Sequence, residues 1–382
     1  MEFYNLGGLV KITSGFAFKS SLFNSENEGM PLIRIRDVVR GYSDTFYTGE
    51  YKSDYIIENG DALIGMDGEF NLAIWNGGKA LLNQRVCKIE SIDHKLDQNY
   101  LIRFLPKALK LIEDKTPFVT VKHLSVKEIN SIQIPLPPLE EQRRIASILD
   151  KADAIRQKRQ QTIAKLEELL LSEFLKKFSG KNFKSVMVQD LLETEKSMRT
   201  GPFGSQLLHS EFVDEGIAVL GIDNAVKNQF QWGKPRFMTE QKYKTLSRYT
   251  VKPNDVLITI MGTCGRCAVV PENIPKAINT KHLCCITLDK TKCEPEFLHS
   301  YFLMHPTARN YLESRAKGAI MDGLNMGIIK ELPVELPSLE DQKAFVKLKK
   351  VILSQKQLMD LNAEKIDQMF GSLQQKAFSG TL

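Results

Sequence analysis

The chain has 382 residues, 42% hydrophobic and 26% charged, with a formal net charge of +6. That is ordinary for a globular protein with enough chain for two separate cores, and the mild basicity permits a nucleic-acid partner without demanding one. No apolar run approaches the roughly 20 residues of a membrane helix. Met1-Glu2-Phe3-Tyr4 has neither the basic start nor the apolar core of a signal peptide. Six unevenly spread cysteines fit a reducing compartment, so a cytoplasmic protein is expected.

Residues 1–139 read as mixed α/β. Apolar runs bounded by turn residues predict strands over Pro31 to Val39, Asp61 to Met66 and Gln84 to Ile89. Tyr100 to Ile112 has helical spacing, and 114–133 reads as irregular. Pro135-Leu136-Pro137-Pro138 then forms a stiff extended connector. A helix starts near Leu139, with Glu140 and Glu141 complementing its dipole. Its stripe is Ile145, Ile148, Leu149, Ala152, Ile155, Ile163, Leu166, Leu169, Leu170 and Phe174, running to about Phe178. Such a helix is roughly 55 Å long.

The same layout returns 200 residues later. Residues 134–142, IPLPPLEEQ, recur as VELPSLEDQ at 334–342, and Phe178-Ser179-Gly180 recurs as Phe378-Ser379-Gly380. The second stripe is Phe345, Leu348, Ile352, Met359, Ile366, Met369, Phe370 and Leu373. Between the helices, Gly60-Asp61-Ala62-Leu63-Ile64 matches Asn254-Asp255-Val256-Leu257-Ile258, and Asn83-Gln84-Arg85 matches Asn279-Thr280-Lys281. The helix at 100–112 matches Glu296 to Leu312. The chain is therefore an α/β (α+β) protein with a two-fold internal repeat: a globular part over 1–139, a long helix over 140–182, a second globular part over 183–339 and a second long helix over 340–382.

Two apolar-striped helices in one chain are expected to pair. Antiparallel pairing brings Arg159 near Met359 and sets two similar heads about 40–60 Å apart, one to two turns of B-DNA. The alternative is a hairpin that merely joins the domains.

Three stretches carry a resemblance: IPLPPLEEQRRIASIL, the closing LQQKAFSGTL, and Gly201-Pro202-Phe203-Gly204-Ser205 followed by GIAVLGIDN at 216–224. Together they resemble the specificity subunit of type I restriction–modification systems, over essentially the whole chain. The resemblance implies two target recognition domains, each reading one half of a split, asymmetric duplex DNA sequence. They are joined by two long antiparallel coiled-coil helices that set the gap. It also implies two docked modification subunits, which carry S-adenosylmethionine and methylate adenine, and two restriction subunits, which use ATP and Mg. No cofactor is expected on this chain. Two alternatives stay open: a specificity chain of a type IIB-like system, and a protein-binding scaffold with no DNA role.

The sequence supports a non-catalytic chain independently. It has no Asn/Asp-Pro-Pro-Tyr/Phe loop to hold a target amine, no phosphate-cradling Gly-x-x-x-x-Gly-Lys-Ser/Thr, no dinucleotide fingerprint and no nucleophile elbow. Cys264-x-x-Cys267 with Cys284-Cys285 fails the double-knuckle zinc spacing, so no metal is expected. His282 and His299 read as surface or groove residues.

Residue chemistry selects the candidate DNA contacts. In the first head these are Lys11, Ser14, Phe16, Lys19, Ser20, Arg34, Arg36 and Arg85; Arg34 and Arg36 alternate with Ile33 and Ile35 on the predicted strand. In the second they are Arg199, Ser205, Gln206, Asn224, Arg266, Lys281 and His282. The Gly-Pro-Phe-Gly-Ser loop permits close backbone approach, suiting a phosphate. Arg143, Arg144, Arg156, Lys158 and Arg159 on one helix, and Lys343, Lys347, Lys349 and Lys350 on the other, form either a solvated face or a flank for DNA or a partner.

Overall fold

A computed structural model describes residues 2–116, 122–316 and 323–382. The chain divides into two compact units, Met1–Gln160 with Leu361–Leu382, and Gln161–Asp360.

Unit 1 contains β1 (Phe3–Asn5), β2 (Val10–Ser14), β3 (Phe23–Asn24), β4 (Met30–Ile33), α1 (Ile35–Arg40), β5 (Phe46–Tyr47), β6 (Ile56–Ile57), β7 (Ala62–Gly65), β8 (Leu72–Ile74), β9 (Ala80–Leu82) and β10 (Val86–Ser91). It continues with α2 (Gln98–Lys115), α3 (Val126–Asn130), β11 (Gln133–Pro135) and the first half of α4 (Leu139–Phe178). Unit 2 takes the rest of α4, then β12 (Lys184–Met187), β13 (Met198–Thr200), β14 (Ile217–Leu220), β15 (Phe237–Met238), α5 (Glu240–Leu246), β16 (Val256–Thr259), β17 (Cys267–Val269), β18 (Ala277–Asn279) and β19 (Leu283–Ile286). After these come α6 (Pro295–Met304), α7 (Pro306–Ala316), α8 (Met326–Lys330), β20 (Pro333–Leu336) and the first half of α9 (Leu339–Ser379), whose second half belongs to unit 1.

The topology is duplicated. A four-stranded antiparallel sheet runs β2-β10-β7-β8 in unit 1 and β13-β19-β16-β17 in unit 2. Beside it, β4 pairs parallel with β9, and β14 with β18. A two-stranded sheet ties each unit's first strand to its last, β1 to β11 and β12 to β20. Gly60 and Asn254 both take left-handed backbone before matched strands, with φ of 96° and 68°.

The repeated motif has a structural cause. Gln142 is fully buried; its Nε2 donates to the carbonyls of Lys95 (2.7 Å) and Pro137 (2.8 Å), and its Oε1 accepts from Asp97 N (2.8 Å). Gln342 makes the same set, to Lys292 O (3.2 Å), Pro337 O (3.0 Å) and Glu294 N (2.9 Å). Each glutamine clamps a long helix to the residue that caps α2 or α6, satisfying buried groups that water cannot reach. The repeated phenylalanines close the same cores. Phe378 packs on Tyr100 and Phe104 in unit 1, and Phe178 on Phe297 and Phe345 in unit 2.

Within each unit the helices run antiparallel. The start of α4 meets the end of α9 in unit 1, where Arg156 Nε binds Asp367 at 2.6 Å. The end of α4 meets the start of α9 in unit 2, where Lys356 Nζ reaches Glu167 at 3.2 Å. Ile155, Leu169 and Met369 are 54%, 45% and 70% exposed, so the buried stripe is narrower than the sequence spacing predicts.

Three local expectations are corrected. The predicted strand over Pro31–Val39 ends at Ile33, and Arg34 instead caps α1, its amide donating to Asp37 Oδ2 at 2.9 Å. Arg36 is therefore helical. The helix matched over Glu296–Leu312 is two, because His305-Pro306 interrupts it; Pro106 lies inside an unbroken α2. The irregular stretch 114–133 holds α3, started by a Ser125–Glu128 capping box; its residues 117–121 lie outside those described.

Candidate nucleic-acid interface

Each unit brings three segments to one junction at the ends of the two central strands of its main sheet. In unit 1 these are the turn 83–85 between β9 and β10, the loop after β7, and the segment before α3. Met66 N donates to Arg85 O (2.8 Å), and Leu124 N to Met66 O (2.7 Å). Unit 2 repeats the stitching, with Ile260 N donating to His282 O (2.9 Å) and Leu324 N to Ile260 O (3.1 Å). Ladder register makes Ile33 opposite Leu82 equivalent to Leu220 opposite Asn279. The sequence match Asn83-Gln84-Arg85 to Asn279-Thr280-Lys281 is thus one residue out of register. Arg85 corresponds to His282 and Gln84 to Lys281.

The first glycine of the Gly201–Ser205 loop is explained inside the protein. A Cβ on Gly201 would overlap the Asn279 carbonyl, and one on Gly15 the Asn83 carbonyl. The close approach there is the chain's own backbone, not a phosphate's. Gly204 differs: it has φ +56° and open space around it.

In unit 1, Lys11 and Ser14 are exposed on β2, and Lys19 and Ser20 are exposed beyond it. Phe16 is 47% exposed and leans on Phe18 and Tyr55. Arg34 and Arg36 are exposed at the start of α1. Arg85 is exposed and holds a left-handed φ of 73°. Its Nε lies 3.3 Å from Asp67 Oδ2, and Asp67 Oδ1 lies 2.6 Å from His123 Nδ1.

In unit 2, two candidates are taken inward. Arg199 reaches buried Asp255 (2.7 Å), Thr287 Oγ1 (3.0 Å) and Thr250 O (2.5 Å). Asn224 is buried, accepting from Gly221 N and donating to Gln231 O. Ser205, Gln206 and Arg266 are exposed, and Gln206 Oε1 accepts from Tyr249 OH at 2.9 Å. Lys281 and His282 line a pocket of about 500 Å³ together with His209, Lys234, Arg236, Thr280 and Phe212. The His282 imidazole is pushed below its ordinary pKa by burial and by the charges of Lys281 and Arg236. Arg236 is itself paired with Asp223. An anionic ligand fits this surplus of positive charge.

Sequence reading missed His209, Lys234, Arg236, Asp67 and His123. Only Gly233-Lys234-Pro235-Arg236 carried a local signal, two cations around a proline in a turn-forming run. His299, expected at a surface, is buried. Its Nε2 donates to Asn228 O (2.9 Å) and Cys267 O (3.1 Å), and its Nδ1 accepts from Lys349 Nζ (2.8 Å). Burial and the Lys349 ammonium push its pKa down to about 4. Lys349, read as part of a basic helix face, is buried against Glu296 at 2.6 Å. Cys267, Cys284, Cys285 and Cys293 are core residues whose thiols burial raises. Among the described residues no cluster of three or more His, Cys, Asp or Glu is placed to hold a metal, and no helix is long and apolar enough to cross a membrane.

A duplicated α/β head on paired long helices, with differing side chains at matched junctions, describes a class of modular recognition protein. The family model for the type I restriction modification DNA specificity domain matches residues 1–168 and 207–367. The chain belongs to this family of specificity subunits. It is 31% identical to the type I restriction enzyme EcoBI specificity subunit of Escherichia coli, over 99% of this chain and 85% of that one. It is 24% identical to the MjaVIII specificity subunit of Methanocaldococcus jannaschii, over 92% of this chain and 85% of that one. Among solved structures, the S subunit of a type I system from M. genitalium has the same fold, with a TM-score of 0.59 at 13% identity, covering 99% of this chain and 96% of that one.

Proposed function

We propose that each head reads one half of a split, asymmetric DNA duplex target, and that the paired helices fix the gap between the halves. The chain itself is non-catalytic. Two modification subunits dock on it and supply S-adenosylmethionine, and two restriction subunits join with ATP and Mg. The carrying observation is the duplicated junction: its backbone bonds agree in both heads, while its side chains differ. A scaffold held in common with a divergent polar surface suits two readings of one ligand.

The proposed contact surface of unit 1 is Lys11, Ser14, Phe16, Lys19, Ser20, Arg34, Arg36 and Arg85. In unit 2 it is Ser205, Gln206, Arg266, Lys281 and His282, joined by His209, Lys234 and Arg236. Arg199 and Asn224 serve the fold. DNA binding by the assembled complex, measured by fluorescence anisotropy across a salt series, tests this reading. Affinity falling linearly in log–log form, with a slope of about −0.9 per phosphate contacted, supports it. Binding that is absent, or indifferent to salt, favours a scaffold without a DNA role.

A further inference from the structure

We infer that Arg85 reads a guanine through its O6 and N7 edge, held in position by Asp67, and that Asp67 is in turn held by His123. This rests on the DNA-reading role proposed above and assigns the base and the positioning residues within it.

The backbone at Arg85 is unusual first. A non-glycine residue with φ of 73° sits in a region that L side chains occupy at a cost. The Met66 amide fixes its carbonyl there, and the side chain is 54% exposed. Asp67 is equally fixed, because Gly68 N donates to Lys122 O (2.9 Å) and Leu124 N to Met66 O (2.7 Å) on either side of it.

The hydrogen-bond roles then follow. His123 Nδ1 lies 2.6 Å from Asp67 Oδ1 and 3.4 Å from Arg85 Nη1. A carboxylate only accepts, so Nδ1 carries the proton and donates to Asp67. The same nitrogen then has no lone pair for Arg85, and the longer approach is two donors side by side. Arg85 is thus held through Nε alone, at 3.3 Å from Asp67 Oδ2. Among the described residues neither Nη nitrogen has an acceptor. A planar, half-exposed guanidinium paired with Asp67 keeps N–H donors for a ligand, and its fork matches the paired acceptors of guanine. Adenine sets an amino donor where guanine has O6, so the same fork meets a donor there.

The other head shows that the junction itself does not require this set of side chains. Unit 2 builds the same stitched junction with His282, Met261 and Gly323 at the three matched places. The backbone stitching recurs without these three side chains, so the Arg85–Asp67–His123 set is a feature of unit 1 alone and is available to what that head contacts.

The test uses the full chain assembled with its modification subunit in a methylation-free host, with methyladenine mapped by long-read sequencing. The wild-type complex must first give a split motif; if it gives none, the DNA-reading proposal fails before any variant is compared. With the motif in hand, R85A is expected to relax one G·C pair in one half-site, with discrimination there falling roughly 5- to 150-fold. R85K keeps the charge but loses the fork and is expected to relax the same pair. D67N is expected to relax that pair too, and D67N/R85A to be no worse than R85A, as befits a residue acting through another. An unchanged motif in R85A overturns the inference. So does uniform weakening across all sequences, which marks a phosphate contact, while full guanine preference in R85K overturns the part given to the guanidinium fork. Relaxation by D67N at a different pair overturns the role given to Asp67.

Discussion

Replacing Gln142 by alanine removes three hydrogen bonds from a fully buried amide and strands the Asp97 amide and two carbonyls away from water. At a net contribution of about 1 kcal/mol each, the loss is about 3 kcal/mol before any packing defect is counted. For a unit of this size, about 2–4 °C per kcal/mol gives a fall of roughly 6–12 °C in Tm. Trp75, 2% exposed in unit 1, reports the transition by fluorescence, whereas Trp232 of unit 2 is 58% exposed and already solvated. Q342A should leave the Trp75 transition in place and lower that of unit 2. Q142E should be worse than Q142A, because a carboxylate would face the Lys95 and Pro137 carbonyls in a buried site. A shift in Q142A below about 2 °C, or equal losses in Q142A and Q142E, would refute the clamp.

Unit 2 should lose stability as pH falls. The folded pKa of His299 is about 4 against an ordinary 6.5, so below 6.5 the unfolded state takes up a proton that the folded state refuses. The loss should accumulate from pH 6.5 down to about 4, and H299Q should flatten it in urea titrations across that window. Burial works against the Glu296 carboxylate, but the Lys349 ammonium outweighs it and holds the carboxyl below its ordinary 4.5, so a further loss accumulates below that value and is complete once the folded Glu296 protonates. Gly201→Ala should cost about 1–3 kcal/mol or more by driving a Cβ into the Asn279 carbonyl, while Gly204→Ala should cost only about 1 kcal/mol for its left-handed backbone; urea midpoints separate them. Lys234→Ala and Lys281→Ala should each reduce the salt slope of DNA binding by about 1 without changing the motif.

The duplication was legible because the same chemistry is required twice, at the same place in each half. Gln142 and Gln342 need the same three partners, and Phe178 and Phe378 fill the same kind of gap, so those residues recur at one spacing. The segment from Ile33 to Arg40 misled because Ile33, Ile35 and Val38 fit alternation at their start and helical spacing further on. What decides between them is Asp37 reaching back to the Arg34 amide, and Gly41 closing the helix in left-handed backbone. The one-residue error at the β9–β10 turn came from matching asparagine to asparagine, where the ladder matches Ala80 to Ala277.

The site was less legible because it is assembled across the sequence. Arg199 looks like any exposed arginine until Asp255, 56 residues away, is seen buried beneath it. Lys349 and His299 likewise became interior residues only through one another. The cationic pocket of unit 2 gathers residues from 202 to 282, and Asp67 meets His123 across 56 residues. No local pattern announces such pairs, whereas the residue types that contact DNA could be chosen by chemistry alone.

The most direct measurement is the methylome of a methylation-free host expressing the modification subunit with and without this chain. Two heads on one duplicated scaffold predict methyladenine in a single motif of two unlike halves with a fixed gap, and no such methylation when the chain is left out. A continuous motif, or methylation that persists without the chain, would contradict the account.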